Sequence, residues 1–316
     1  MIKKWINILM FSAPVRLVIR VTDSIKPWGF EGLSLYFVMK FFAEGLQKGA
    51  LTTRAAAIAF RIFVAVFPAL ILLLSIIPLV PIENFQESLF NSLRGFFPGD
   101  TFGLVETTLD DLINRKHNTL LSIGFALVIF YASNSVNAIL TGFNGSYNLV
   151  TKGNPVIFRL LSLVLMLVLG IFMLTAVVLI IFSGMAFDHI QEFDLIPDGS
   201  IIVMLQVARW LITLFLIYMS ISTLYNVGNY KRGKWKTFSA GASFATVFFI
   251  IASIGFAGFV NNFGQYNKLY GSLGTLLLLL IWINFNSNIL LLGFELNASI
   301  GKAKSTFDHT FEKFDK

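Results

Sequence analysis

The residues that could do chemistry in this chain are few, and they stand inside stretches that are otherwise hydrocarbon. Asn284, Asn288 and Glu295 are spaced i, i+4, i+11, which at about 100° per residue sets all three on one narrow stripe of a helix. Arg54, Arg61, Pro68 and Ser75 recur every seven residues and share a face in the same way. Asn134, Asn137, Thr141 and Asn144 do so again, and Arg209 stands alone with Gln206, Thr213 and Ser220 on roughly its stripe. An amide, carboxyl or guanidinium facing acyl chains has no partner and costs several kcal/mol, so these stripes must turn toward protein, water or a polar ligand. The chemistry on offer is hydrogen bonding and charge pairing in a low-dielectric interior: a polar path for a solute, not the making and breaking of bonds.

The elements that must position them are membrane-spanning helices. Between Lys268 and Glu295 lie 26 uncharged residues, more than the roughly 20 that carry a helix across a hydrocarbon core of about 30 Å. The whole chain of 316 residues is 56% hydrophobic and 13% charged, with 34 Phe, against about 45–50% apolar and about 25% charged in soluble domains. Six apolar stretches are long enough to span: 55–80, 120–143, 156–182, 201–225, 238–260 and 273–298. The fold class expected is all-α, an integral membrane bundle. A segment over 1–51 carries amphipathic helices, a six-span domain covers 52–300 with an outer cap loop at 81–119, and 301–316 form a tail. The piece Leu33 to Leu46 reads equally as a helix lying in the membrane interface and as one packed on the bundle.

Lys and Arg fall 18 on one side of these spans and 4 on the other, with Arg61 and Arg209 inside them. That bias puts both termini in the cytoplasm. It also accounts for the net charge of +7 as a topology signal and an attraction to membrane lipids; no nucleic-acid partner is expected. Counting residues from the span ends brings Arg61 and Glu295 to comparable depth, so they could form an ion pair, or Arg61 could instead reach back to the inner headgroups. Pro68 withholds a backbone donor in mid-span, which predicts a kink. Arg209 lies in the outer third, where Asp188 or Asp198 could neutralise it, or an anionic ligand. The Asn-bearing second and sixth spans together predict a polar interior. FNGSYN (Phe143 to Asn148) and FGQYN (Phe263 to Asn267) close corresponding spans of two three-span halves, as an inverted repeat would.

Several classes are excluded. There is no Cys, and the three His lie outside the apolar stretches at no metal-ligand spacing, so no metal is expected. No phosphate-binding loop, His-Glu-x-x-His or Gly-x-Ser-x-Gly is present, so neither a cofactor nor catalysis is expected.

RAAAIAFRIFVAVFPALILL (Arg54 to Leu73), NAILTGFNGSY (Asn137 to Tyr147) and the run from Asn261 to Ala298 carry a resemblance. The last opens with Tyr270-Gly271-Ser272-Leu273-Gly274, contains Trp282 and closes on Gly293-Phe294-Glu295-Leu296-Asn297-Ala298. In these segments the chain resembles the YihY/BrkB family of bacterial inner-membrane proteins. The resemblance covers residues 50 to 300 and implies six spans in the inner membrane. Arg61 departs from the aromatic of many relatives, which would make its pairing a subgroup trait. Some relatives carry the label ribonuclease BN; the acidic residues of the cytoplasmic segments, in no clustered spacing, do not support it here. The expectation is transport or exchange of a lipid or other small hydrophobic solute, with a non-transporting scaffold for the envelope as the alternative and a membrane enzyme third.

Overall fold

The computed structural model describes residues 20–76, 118–149, 154–192, 199–229, 235–262 and 272–312. Among them there is no strand, and the helices, in chain order, are α1 (Leu35–Lys48), α2 (Leu51–Ile76), α3 (Asn118–Asn144), α4 (Pro155–Glu192), α5 (Gly199–Gly228), α6 (Ala240–Asn262) and α7 (Ser272–Glu312). The six from α2 to α7 are long and apolar enough to cross a membrane. The expected cap loop at 81–119 falls almost wholly outside the described residues, as does the FGQYN half of the suspected repeat.

The long helices pack as a ring in chain order: α2 on α3, α3 on α4, α4 on α5, α5 on α6, α6 on α7, and α7 back on α2. Except between α2 and α3, short connections put consecutive helices side by side, and local signals start them. Asn154 Oδ1 accepts from Val156 N at 2.9 Å ahead of Pro155, whose missing donor suits the first helical position. Ser239 caps α6 by accepting from Ala242 N at 3.2 Å. Ser34 caps α1, its Oγ accepting from Phe37 N.

Burial is concentrated at one end of the ring, the end where Lys236, Lys302 and Lys304 stand; we call it the basic end. Here Phe143, Leu140, Ile58, Leu291 and Phe294 form the core. Elsewhere apolar side chains face outward, with Met173 and Ile254 each 70% exposed. That is the distribution expected where lipid, not water, is the outer solvent. α1 lies against α7 at the basic end, where Val38 is buried with Leu296, Ile300 and Ala303, while Tyr36 and Met39 look outward. Of the two readings of the amphipathic segment, packing on the bundle is the one seen, and the helix keeps an exposed apolar edge. The residues expected to form the tail continue α7 without a break to Glu312, and Ala303 among them is fully buried. Pro68 is buried within a continuous α2.

Candidate functional site

Glu295, on α7, is fully buried. α1 crosses it at Gly45, where any Cβ would strike Glu295 Oε1, so glycine is required by the close approach. Asn148, just beyond α3, sets its amide nitrogen, with two protons to share, 2.6 Å from Phe41 O, 3.0 Å from Ser299 Oγ and 3.2 Å from Glu295 Oε1. Arg54 approaches from the first turn of α2, its Nη2 lying 3.8 Å from Glu295 Oε2, while its Nη1 donates to Gly142 O at 2.8 Å. Arg54 Nε and Nη2 and Glu295 Oε2 are buried without a hydrogen-bond partner. The node therefore joins α1, α2, α3 and α7 through a charge pair too long to be a hydrogen bond.

This corrects the expected Arg61–Glu295 pair. Because α7 runs on to Glu312, Ala298 is not its end, and Glu295 comes level with the first turn of α2 rather than two turns further in. Arg54 occupies the same face of α2 one heptad earlier, so the face was right and the depth was not.

A half-open cavity of ≈ 420 Å³ is lined from α2, α4, α5, α6 and α7. Its wall is apolar, with Ile62, Phe172, Leu216, Phe249 and Trp282, interrupted by Ser220, Asn286 and Ser287. Met173 stands at its rim and is 70% exposed, so the cavity opens sideways between helices. Nearer the basic end is a second cavity of ≈ 310 Å³ whose wall joins Asn226, Asn229, Asn297, Lys236 and Glu31 to apolar residues such as Trp28, Phe238 and Ile300. Glu31, at φ 54°, is held by Lys236 and, at 2.8 Å, by Lys304. The two cavities are one helical turn apart. Ile221 and Leu290 line the first, and Tyr225 and Phe294, four residues on, line the second.

What separates them is aromatic. Phe294 stacks on Phe143 with centroids 4.2 Å apart, and Tyr225 meets both edge-on. Tyr225 Oη donates to Leu290 O at 2.7 Å, which anchors the ring. Glycines admit this packing: a Cβ on Gly228 would meet Phe143, and one on Gly293 would strike the Tyr225 hydroxyl and the Gly241 carbonyl.

The remaining expected residues divide between places the sequence did not distinguish. Asn288 donates to Asn284 O at 2.8 Å and Asn284 Oδ1 at 3.2 Å, a local pair along α7. Neither lines the central cavity; Asn286 does, and its buried Oδ1 has no partner. Asn134 and Asn137 line grooves between α2 and α3 together with Arg61, on the outside of the ring, and Asn134 Oδ1 accepts from Arg159 at 2.6 Å. Asn144 is half-buried at the basic end of α3. Arg209 lies on α5 beside the ring of Trp210 at 5.6 Å; the side chains of Asp188 and Asp198 lie outside the described residues. The polar interior expected of the second and sixth spans is therefore corrected: α3 does not line the central cavity, and α7 lines it through the phase between its stripe residues. Tyr225, Asn226, Asn148 and Asn297 were missed as site residues, although Asn297 stands in the closing motif and Asn226 with Asn229 marks the end of a span.

Among the described residues no three His, Asp or Glu gather as a metal site. The chain matches the family described as virulence factor BrkB over residues 42–314. It is 27% identical over 277 residues to the ribonuclease-like protein YfkH of Bacillus subtilis, covering 85% of this chain and 98% of that one. A UPF0761 membrane protein of Aggregatibacter aphrophilus is 24% identical over 84% of this chain and 92% of its own length, and one of Mannheimia succiniciproducens is 27% identical over 81% and 86%. No solved structure matches. With a family match across nearly the whole bundle and six apolar helices of spanning length, the chain is a multi-pass membrane protein and belongs to the BrkB family.

Proposed function

We propose that this protein moves an acyl-chain-bearing amphiphile between the centre of the inner membrane and its cytoplasmic face. The observation that carries the reading is the pair of cavities in line. The first is apolar, opens sideways toward lipid and falls in the volume range of about 300–1,000 Å³ usual for ligand sites; the second, one turn nearer the basic end, adds amides and charges to an apolar wall. A chain would enter the first through the gap at Met173, past a wall that is apolar apart from Ser220, Asn286 and Ser287. The headgroup would pass to the amides and charges of the second once the Phe143–Tyr225–Phe294 cluster opens. The bias of Lys and Arg supports a cytoplasmic position for the basic end and for both termini. No step of this reading needs bond chemistry, so the protein is taken as a non-enzyme, and the ribonuclease-like name of the Bacillus relative is not carried over.

The test is flux of a headgroup-labelled phospholipid in proteoliposomes. Ala176→Trp, which fills the first cavity from α4, should lower flux at least about tenfold while the protein stays monodisperse. Flux equal to that of protein-free vesicles in the wild type, or unchanged flux in the filled variant, overturns the proposal. A second reading is favoured by a separate observation. The buried node at Glu295 ties four helices together, as an envelope scaffold would need, and that reading stands if flux is absent.

A further inference from the structure

Arg61 takes no part in the two cavities or in the Glu295 node. It lies on α2 seven residues beyond Arg54, about 10 Å deeper at 1.5 Å per residue, within the apolar span Leu51–Leu73. Its residue is exposed on the outside of the ring, and among the described residues no carboxylate pairs with it. Two adjoining grooves between α2 and α3, of ≈ 370 and ≈ 170 Å³, share Arg61 and Ala57. Tyr131 and Asn134 line the first groove, Asn137 and Thr141 the second.

These side chains are donors in want of an acceptor. The hydroxyls of Tyr131 and Thr141 and the amide of Asn137 make no hydrogen bond among the described residues, and the Asn134 oxygen is already taken by Arg159, which leaves its NH₂ to donate. Arg54, at the basic end of the same seam, is committed to Gly142 and Glu295. Phe60, 63% exposed, lines the first groove, and Phe130, 53% exposed, stands edge-on to Tyr131 at 5.3 Å, so both offer apolar surface suited to acyl chains. In hydrocarbon such donors, and above all an unpaired guanidinium, are too costly to leave unmet. Charge complementarity selects the occupant, since a phosphodiester offers one negative charge and several acceptor oxygens.

We infer that the α2–α3 seam is a binding site for one anionic phospholipid, with its headgroup hydroxyls toward Asn137 and Thr141, its phosphate on Arg61 and Asn134, and its chains over Phe60 and Phe130. The site is independent of the transport reading, because it lies outside the ring and touches neither cavity.

Native mass spectrometry of delipidated protein titrated with phosphatidylglycerol tests it. Arg61→Gln should weaken retention about tenfold, the scale of a charge-assisted hydrogen bond, and Arg61→Lys should restore part of it, while Arg209→Gln leaves it unchanged. Diacylglycerol, which lacks the phosphate, should bind weakly, and glycerophosphate, which lacks the chains, should not compete. Should Arg61→Gln fail to fold, Asn137→Leu with Thr141→Val removes two donors from the same seam and must lower retention. Equal retention in wild type and variant, diacylglycerol binding as tightly as phosphatidylglycerol, or full competition by glycerophosphate overturns the inference. So does a change of oligomeric state in Arg61→Gln with lipid retention intact.

Discussion

Replacing Glu295 by Gln keeps the side chain's shape and removes its charge from a site with no exposure to solvent. The charges it separates are 3.8 Å apart, which at an effective dielectric of about 20 is an attraction on the order of 4 kcal/mol before the cost of burying both groups is set against it. In the variant that cost remains for Arg54, whose Nε and Nη2 already lack hydrogen bonds. Asn148 keeps its bonds to Phe41 and Ser299. The expected loss is therefore that of breaking a buried pair from one side, about 3–5 kcal/mol. Arg54→Gln with Glu295→Gln should cost less than the sum of the two singles by about 2 kcal/mol, within the range for residues in contact. Arg61→Gln with Glu295→Gln should be additive to within about 0.5 kcal/mol, as for sites without a shared partner. Reversible unfolding in mixed detergent micelles, followed by tryptophan fluorescence, reads all three. A Glu295→Gln cost no larger than that of Glu44→Gln, or coupling of Glu295 to Arg61 as strong as to Arg54, would refute the reasoning.

Two further outcomes are expected. Gly241→Val places a branched side chain where even a Cβ would overlap the Gly293 carbonyl and come within 2.6 Å of Asn297; α6 must move off α7, and the variant should lose at least about 3 kcal/mol or fail to accumulate as monodisperse protein. Asn226→Ala removes a side chain that accepts from Lys236 N at 2.7 Å and donates to Lys236 O at 2.9 Å. The α5–α6 connection should then open, seen as faster limited proteolysis between 229 and 239 with a stability loss of about 1–3 kcal/mol.

Much of this protein was legible in its residues. Length and apolar content require spanning helices, since only a helix or a closed barrel satisfies its backbone in hydrocarbon. The six stretches, the all-α class, the family motifs and the amphipathic helix ahead of the first span all follow. So does the identity of Glu295 as a buried charge in need of a partner. The sequence by itself could not choose between Arg54 and Arg61, because they lie on one face of α2 and only the extent of α7, past Ala298 to Glu312, sets the depth of Glu295. Nor could it say that Asn286 reaches the cavity while Asn284 and Asn288 pair locally. A soluble helix declares its inner face by contrast with a polar one, but here lipid and protein interior are equally apolar, and the phase of each helix is decided by how the ring closes. The same ring alone puts Tyr225, Phe294 and Phe143, from three different helices, between an apolar cavity and one that carries amides and charges.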